Sequence, residues 1–268
     1  NLTFGPLFVP LLLAVPFGPL LAWKRGDLLG VAQRLMGAAA LAFVGIAATF
    51  AIMGAKAILA PFMIGLAVYV MAGALTDIVE RTGLFRSPFS SSMSRARGLP
   101  RSAWGTAIAH FGLGVTLLGI VCETNWSSER IVVVKPNDVV SISSYELIFQ
   151  GLTQRQGPNY RELTARFVVK SGGSDVGVLE PSKRTFATRA MSTTEAALLT
   201  RGVSQLYLSL GDLNADGSMA IRLYHKPLVL LIWLGAVVMM LGGLLSLSDR
   251  RLRVGAPKPA RAALQPAE

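Results

Sequence analysis

The sequence predicts a polytopic α-helical membrane protein with an all-β domain inserted before its last span. Three observations predict it. The 268 residues are 52% hydrophobic and only 15% charged, with a mean hydropathy of +0.51, a balance of integral membrane proteins rather than soluble domains. Apolar runs of span length recur at about residues 2–23, 35–53, 57–79, 103–122 and 227–247, each close to the ~20 residues that cross a bilayer. Residues 123–226 break that pattern with short alternating runs such as ERIVVV, ELTARFVVK and QLYLSL, the period of half-buried strands.

The elements follow in order. Residues 2–23 contain Pro6, Pro10, Pro16 and Pro19, so this span is expected to be kinked or broken, with neighbours satisfying the freed carbonyls. Spans 35–53 and 57–79 form a hairpin closed at Gly54-Ala55-Lys56. The segment 80–102, ERTGLFRSPFSSSMSRARGLPRS, is basic, Ser-rich and punctuated by proline, which reads as flexible loop. The span at 103–122 completes a membrane bundle over 1–122. The strands of 123–226 are separated by Lys135-Pro136-Asn137-Asp138, Gly157-Pro158-Asn159, Ser171-Gly172-Gly173 and Asn214-Ala215-Asp216-Gly217. About 100 residues with these turn signals suit one small antiparallel barrel or sandwich. The last span, 227–247, opens on Pro227, and the basic Pro/Ala-rich tail 248–268 is expected to be disordered.

The net charge of +11 does not point to nucleic acid, because no continuous basic face with interleaved aromatics is present. Residues 123–226 hold 12 Lys/Arg against 10 Asp/Glu, and 13 of the 14 other basic residues lie in 24–34, 80–102 and the tail. The positive-inside rule puts those segments in the cytoplasm and the β domain outside, in the periplasm of a bacterial inner-membrane protein. Asn1 lies within an apolar segment with no signal-peptide n-region before it, as in a piece of a longer chain.

Chemistry is sparse. Two histidines and one cysteine, Cys122, do not make a zinc site, a disulfide or a CxxCH haem-attachment motif. No Gly-rich phosphate loop or GxSxG elbow occurs, which removes support for nucleotide-driven and hydrolase readings. The lack of acids deep within the spans counts against a proton-coupled transporter. His225, at the mouth of the last span, is expected to touch lipid headgroups.

His110 is the residue that stands out. It is the one ionisable side chain of Trp104–Cys122, and an imidazole inside a membrane helix is costly without a partner. Ala103, Ala107 and Gly114 share its helical face, leaving a flat recess beside the ring. Gly105, Gly112 and Gly119, spaced by sevens on another face, suit close helix packing. A ligand role and a hydrogen bond to a neighbouring carbonyl both remain open on the residues alone.

Four stretches, in order, carry a family resemblance: WGTAIAHFG at 104–112, TEAAL at 194–198 followed by LYLSLGD at 206–212, KPLVLLIWLG at 226–235, and LGGLLSLSDRR at 241–251. They resemble the C-terminal part of the CcmF family, the membrane haem lyase subunit of bacterial system I cytochrome c maturation. The resemblance implies that His110 is an axial ligand of a b-type haem iron, with Ala107 and Gly114 beside it. The second ligand and the tryptophan-rich haem-handling loop would lie outside this chain, in an N-terminal portion or another subunit. It also implies a haem chaperone and an apocytochrome c as partners, a haem-attaching enzyme complex, and reduction of the incoming haem iron by the b haem. Catalytic residues are not assigned by it. Residues 201–205 depart from the arginine–acid pair expected before the LY motif. The rival reading is a membrane-anchored scaffold without redox chemistry, in which His110 is a packing residue.

Overall fold

A computed structural model describes residues 4–21, 26–54, 58–186 and 192–249. Its helices are α1 (Phe4–Ala14), α2 (Leu28–Arg34), α3 (Met36–Met53), α4 (Leu59–Thr82), α5 (Phe89–Gly98), α6 (Arg101–Trp126) and α7 (Leu230–Leu247). Among the described residues, ten strands lie between α6 and α7. The chain divides into two compact units. One takes in α1 to the first half of α6 and most of α7; the other takes in the end of α6, the strands and the start of α7.

Among the described residues four helices, α3, α4, α6 and α7, are long and apolar enough to cross a membrane. The expectation of five spans is corrected at the first. There α1 gives way to a 3-10 helix, Val15–Leu20, because Pro16 and Pro19 remove backbone donors and their rings clash with the preceding turn. The carbonyl freed at Pro19 is satisfied by a neighbour, accepting from Arg81 Nη2 of α4 at 3.2 Å. Gly73 makes room for this segment, since a Cβ there would lie 2.5 Å from Pro16. The proposed turn at 54–56 and the tail beyond Asp249 fall largely outside the described residues.

The segment 80–102 is not a plain loop. It contains α5, although four serines give it low helix propensity. Tertiary bonds hold it: Ser92 Oγ donates to Gly83 O at 3.3 Å, Arg95 Nη1 to Ser87 Oγ at 3.3 Å, and Trp104 Nε1 to Ala96 O at 3.2 Å. The last span also starts later than expected. Residues 227–229 form a turn, with Leu228 at φ 56°, and α7 begins at Leu230.

Within the helical unit the small residues of α6 set the spacing to α7. A Cβ on Gly105 would stand 2.5 Å from Gly242 O, and one on Gly112 would stand 2.8 Å from Gly235 O. These approaches bring backbones together, the device by which membrane helices gain dispersion contacts.

The β unit is a sandwich, not a closed barrel. One sheet runs β1 (Ser128–Val134), β10 (Met219–Lys226), β9 (Ser204–Leu213), β8 (Ala197–Arg201). The other runs β2 (Val139–Ile142), β3 (Tyr145–Gln156), β4 (Tyr160–Ser171), β6 (Ser182–Phe186), β7 (Ser192–Glu195), with β5 (Ser174–Leu179) paired to β4. All pairings are antiparallel. Alternate residues face the core: Leu147, Phe149, Phe167 and Val169 from one sheet, Leu206, Leu208, Ile221 and Leu223 from the other. Phe149 and Phe167 stack at 4.9 Å. The predicted turns are real. Asn137 takes φ 75°, with Asp138 Oδ2 accepting from Lys135 N at 2.7 Å, and Asn214–Gly217 closes the β9–β10 hairpin by Asn214 N donating to Ser218 O at 2.8 Å.

Candidate functional site

The site starts from α6. Its 26 residues reach about 39 Å at ~1.5 Å per residue, more than a bilayer core. His110 lies in the first half, nine residues after Arg101. Its ring is half-buried and forms no hydrogen bond among the described residues. The bland alternative of a histidine tied to a neighbouring carbonyl therefore has no partner there.

Of the small residues expected beside it, Ala107 is buried. Gly114 is not open space: a Cβ there would run into Met71 Cγ and lie 2.9 Å from Ala67 O. Gly114 serves the close approach of α4. The open side of His110 is toward the broken first helix instead. A groove of about 410 Å³ is lined by His110, Thr106, Leu11, Ala14, Val15, Gly18 and Pro19. This wall is not legible in the sequence, because it follows from where the prolines break the chain. The small size of Ala14 and Gly18 is the signal that was available.

A second polar group of the helical unit is Asp77, on α4. It is 2% exposed. Its Oδ1 accepts from Arg81 Nε at 2.7 Å, one turn on, while Oδ2 has no hydrogen-bond partner among the described residues. Asp77 and His110 lie within electrostatic range of one another. Among the described residues no group of three His, Cys, Asp or Glu is arranged to hold a metal ion. The donor set is one imidazole beside a largely apolar groove, enough for a single ligand to an iron and not for a complete metal site.

His225 belongs to the β unit. Its Nδ1 is 3.0 Å from Ser143 Oγ, and its ring lies 5.7 Å from that of Tyr145. These contacts engage the ring within the β unit, and burial holds its pKa below the usual 6.5.

The fold and site together define a multi-pass membrane protein that carries a β-sandwich before its last span and a single imidazole in a membrane helix. Residues 125–227 match the family model described as the CcmF C-terminal beta-sandwich. The chain is 64% identical over its whole length to the cytochrome c-type biogenesis protein CycK of Bradyrhizobium diazoefficiens, spanning 41% of that protein. It is 33% identical to the cytochrome c-type biogenesis protein CcmF of Escherichia coli, with 94% of the chain and 38% of the relative aligned. A solved structure of the cytochrome c heme lyase CcmF superposes with a TM-score of 0.74 at 21% identity, covering 93% of this chain and 40% of that one. The chain thus belongs to the CcmF family, as the counterpart of the C-terminal part of its members. It spans about two fifths of the length of the curated relatives it matches.

Proposed function

We propose that this chain is the C-terminal portion, or a subunit, of a membrane haem lyase, and that His110 supplies one axial ligand to a resident b-type haem. The observation that carries the reading is the His110 ring itself: an imidazole in a membrane helix, without a hydrogen bond, facing an apolar groove. Leaving it so is costly unless something else takes its lone pair. The names of the relatives supply the context, cytochrome c biogenesis.

In this reading Nε2 or Nδ1 of His110 holds the iron, while Leu11, Ala14, Val15 and Gly18 keep water from the macrocycle. A haem bound there supplies one-electron chemistry at a potential set by its ligands and burial, suited to reducing the iron of an incoming haem. The second ligand comes from outside the chain. The periplasm holds the β-sandwich and the cytoplasm the C-terminus, following the basic loops. The sandwich is a surface for a haem chaperone, an apocytochrome c or the other parts of the complex.

The test is His110→Ala in the full-length protein, with b-haem content and attachment of haem to apocytochrome c measured together. Loss of both is expected. Unaltered haem content with unaltered maturation contradicts the ligand role and leaves the scaffold reading.

A further inference from the structure

We infer that Asp77 is a positioning residue for His110: its buried carboxylate lies on the helix packed against α6, within electrostatic reach of the imidazole, and sets the electron density that the ring offers to an iron. The inference deepens the haem reading and rests on it.

Four observations carry it. Asp77 is an acid inside a candidate membrane helix and 2% exposed, a costly place for a carboxylate without a role. Among the described residues its ion pair with Arg81 Nε at 2.7 Å occupies Oδ1 and leaves Oδ2 without a donor. The nearby acid Glu80 differs: it pairs with Arg86 at 3.0 Å and approaches Arg34 at 3.8 Å. Finally, α4 and α6 meet through Gly114, whose Cβ would touch Met71 and Ala67. From that contact α4 proceeds to Asp77 while antiparallel α6 runs back to His110. Side chains lean toward the N-terminus of their helix, which carries the His110 ring toward the level of Asp77. The two groups interact electrostatically in the structure.

The chemistry follows from the two nitrogens of an imidazole. When one holds a metal, the other carries a proton that seeks an acceptor, and carboxylates are frequent acceptors. A carboxylate within electrostatic reach, without a hydrogen bond to the ring, makes the ligating nitrogen a stronger donor. That favours the more positive, ferric state. Arg81 Nε holds Asp77 Oδ1, and its own bond to Pro19 O fixes the groove wall to the same pair.

The experiment is a redox titration of the full-length protein purified with its haem. Asp77→Asn keeps the shape and removes the charge. It is expected to retain haem while its midpoint potential rises by about 59 mV, a tenfold change in the ferric-to-ferrous balance for one electron. Glu80→Gln, a like change whose acid is already doubly paired, is expected to leave the potential in place. Asp77→Leu, an apolar side chain that a membrane helix accepts, makes the same measurement if the asparagine variant does not accumulate. A potential unchanged in the Asp77 variants, or shifted equally in Glu80→Gln, overturns the positioning role. His110→Ala separates the two readings. If it loses haem while the Asp77 variants keep the wild-type potential, only the inference about Asp77 fails; if it keeps haem, the ligand reading itself fails.

Discussion

A Cβ placed on Gly112 would stand 2.8 Å from the carbonyl oxygen of Gly235. No side chain fits in that space, so glycine there is a requirement of the α6–α7 approach. Gly112→Val therefore forces the helices apart. Overpacking of this kind costs on the order of 1–3 kcal/mol, and the expected result is lower accumulation and a lower thermal midpoint in detergent. Gly243, on α7, has nothing within 4 Å of its Cβ position, so Gly243→Ala is expected to be tolerated. Equal loss in both variants contradicts the packing account.

The sandwich core makes a second prediction. Phe167 is fully buried and stacks on Phe149 at 4.9 Å. Phe167→Ala removes a ring from a site walled by both sheets and is expected to cost about 3–5 kcal/mol. Hydrogen exchange of β3 and β4 amides in the intact protein checks it; protection at wild-type level contradicts it.

Much of this was legible in the sequence for a physical reason. Period-two alternation reports burial on one face, so β4 and β9 are readable from ELTARFVVK and QLYLSL alone. Gly105 and Gly112 are readable because helical periodicity gathers them on one face. What periodicity does not report is the partner. The groove beside His110 depends on where Pro16 and Pro19 end α1, a tertiary outcome. Helix α5 is hidden because its stability comes from Trp104 and Gly83, outside its own residues. Asp77 lies two residues before the end of the span expected at 57–79, whereas α4 continues to Thr82.

His225 makes a pH prediction. Burial lowers its pKa from the usual 6.5, so the fold favours the neutral ring. Its stabilising contribution is fully present above about pH 6.5 and declines as pH falls below that toward the lowered folded value. Protection of β10 amides is expected to drop on acidification through that range. His225→Gln, which keeps an acceptor near Ser143 but does not titrate there, is expected to remove the dependence. An identical pH profile in both proteins contradicts it.

The surface of the helical unit makes a fourth prediction. Leu41, Phe43, Val44 and Ile52 of α3, and Leu234, Leu241 and Leu244 of α7, are exposed despite their apolar character. Faces of this composition are covered by lipid or by further protein. Asp or Lys in place of Phe43 is expected to reduce membrane insertion, by about 2.5–3.5 kcal/mol at a helix centre. The readout is the fraction integrated in membranes, and full integration contradicts a lipid- or protein-covered face.

The central claim is that His110 holds a haem iron. The most direct measurement is the haem-to-protein ratio of the full-length protein purified from membranes, with the b-type absorbance bands recorded, for wild type, His110→Ala and His225→Ala. The account predicts that His110→Ala loses the resident haem and its bands while His225→Ala, whose ring is engaged by Ser143, keeps the wild-type ratio. An unaltered ratio and spectrum in His110→Ala contradicts it.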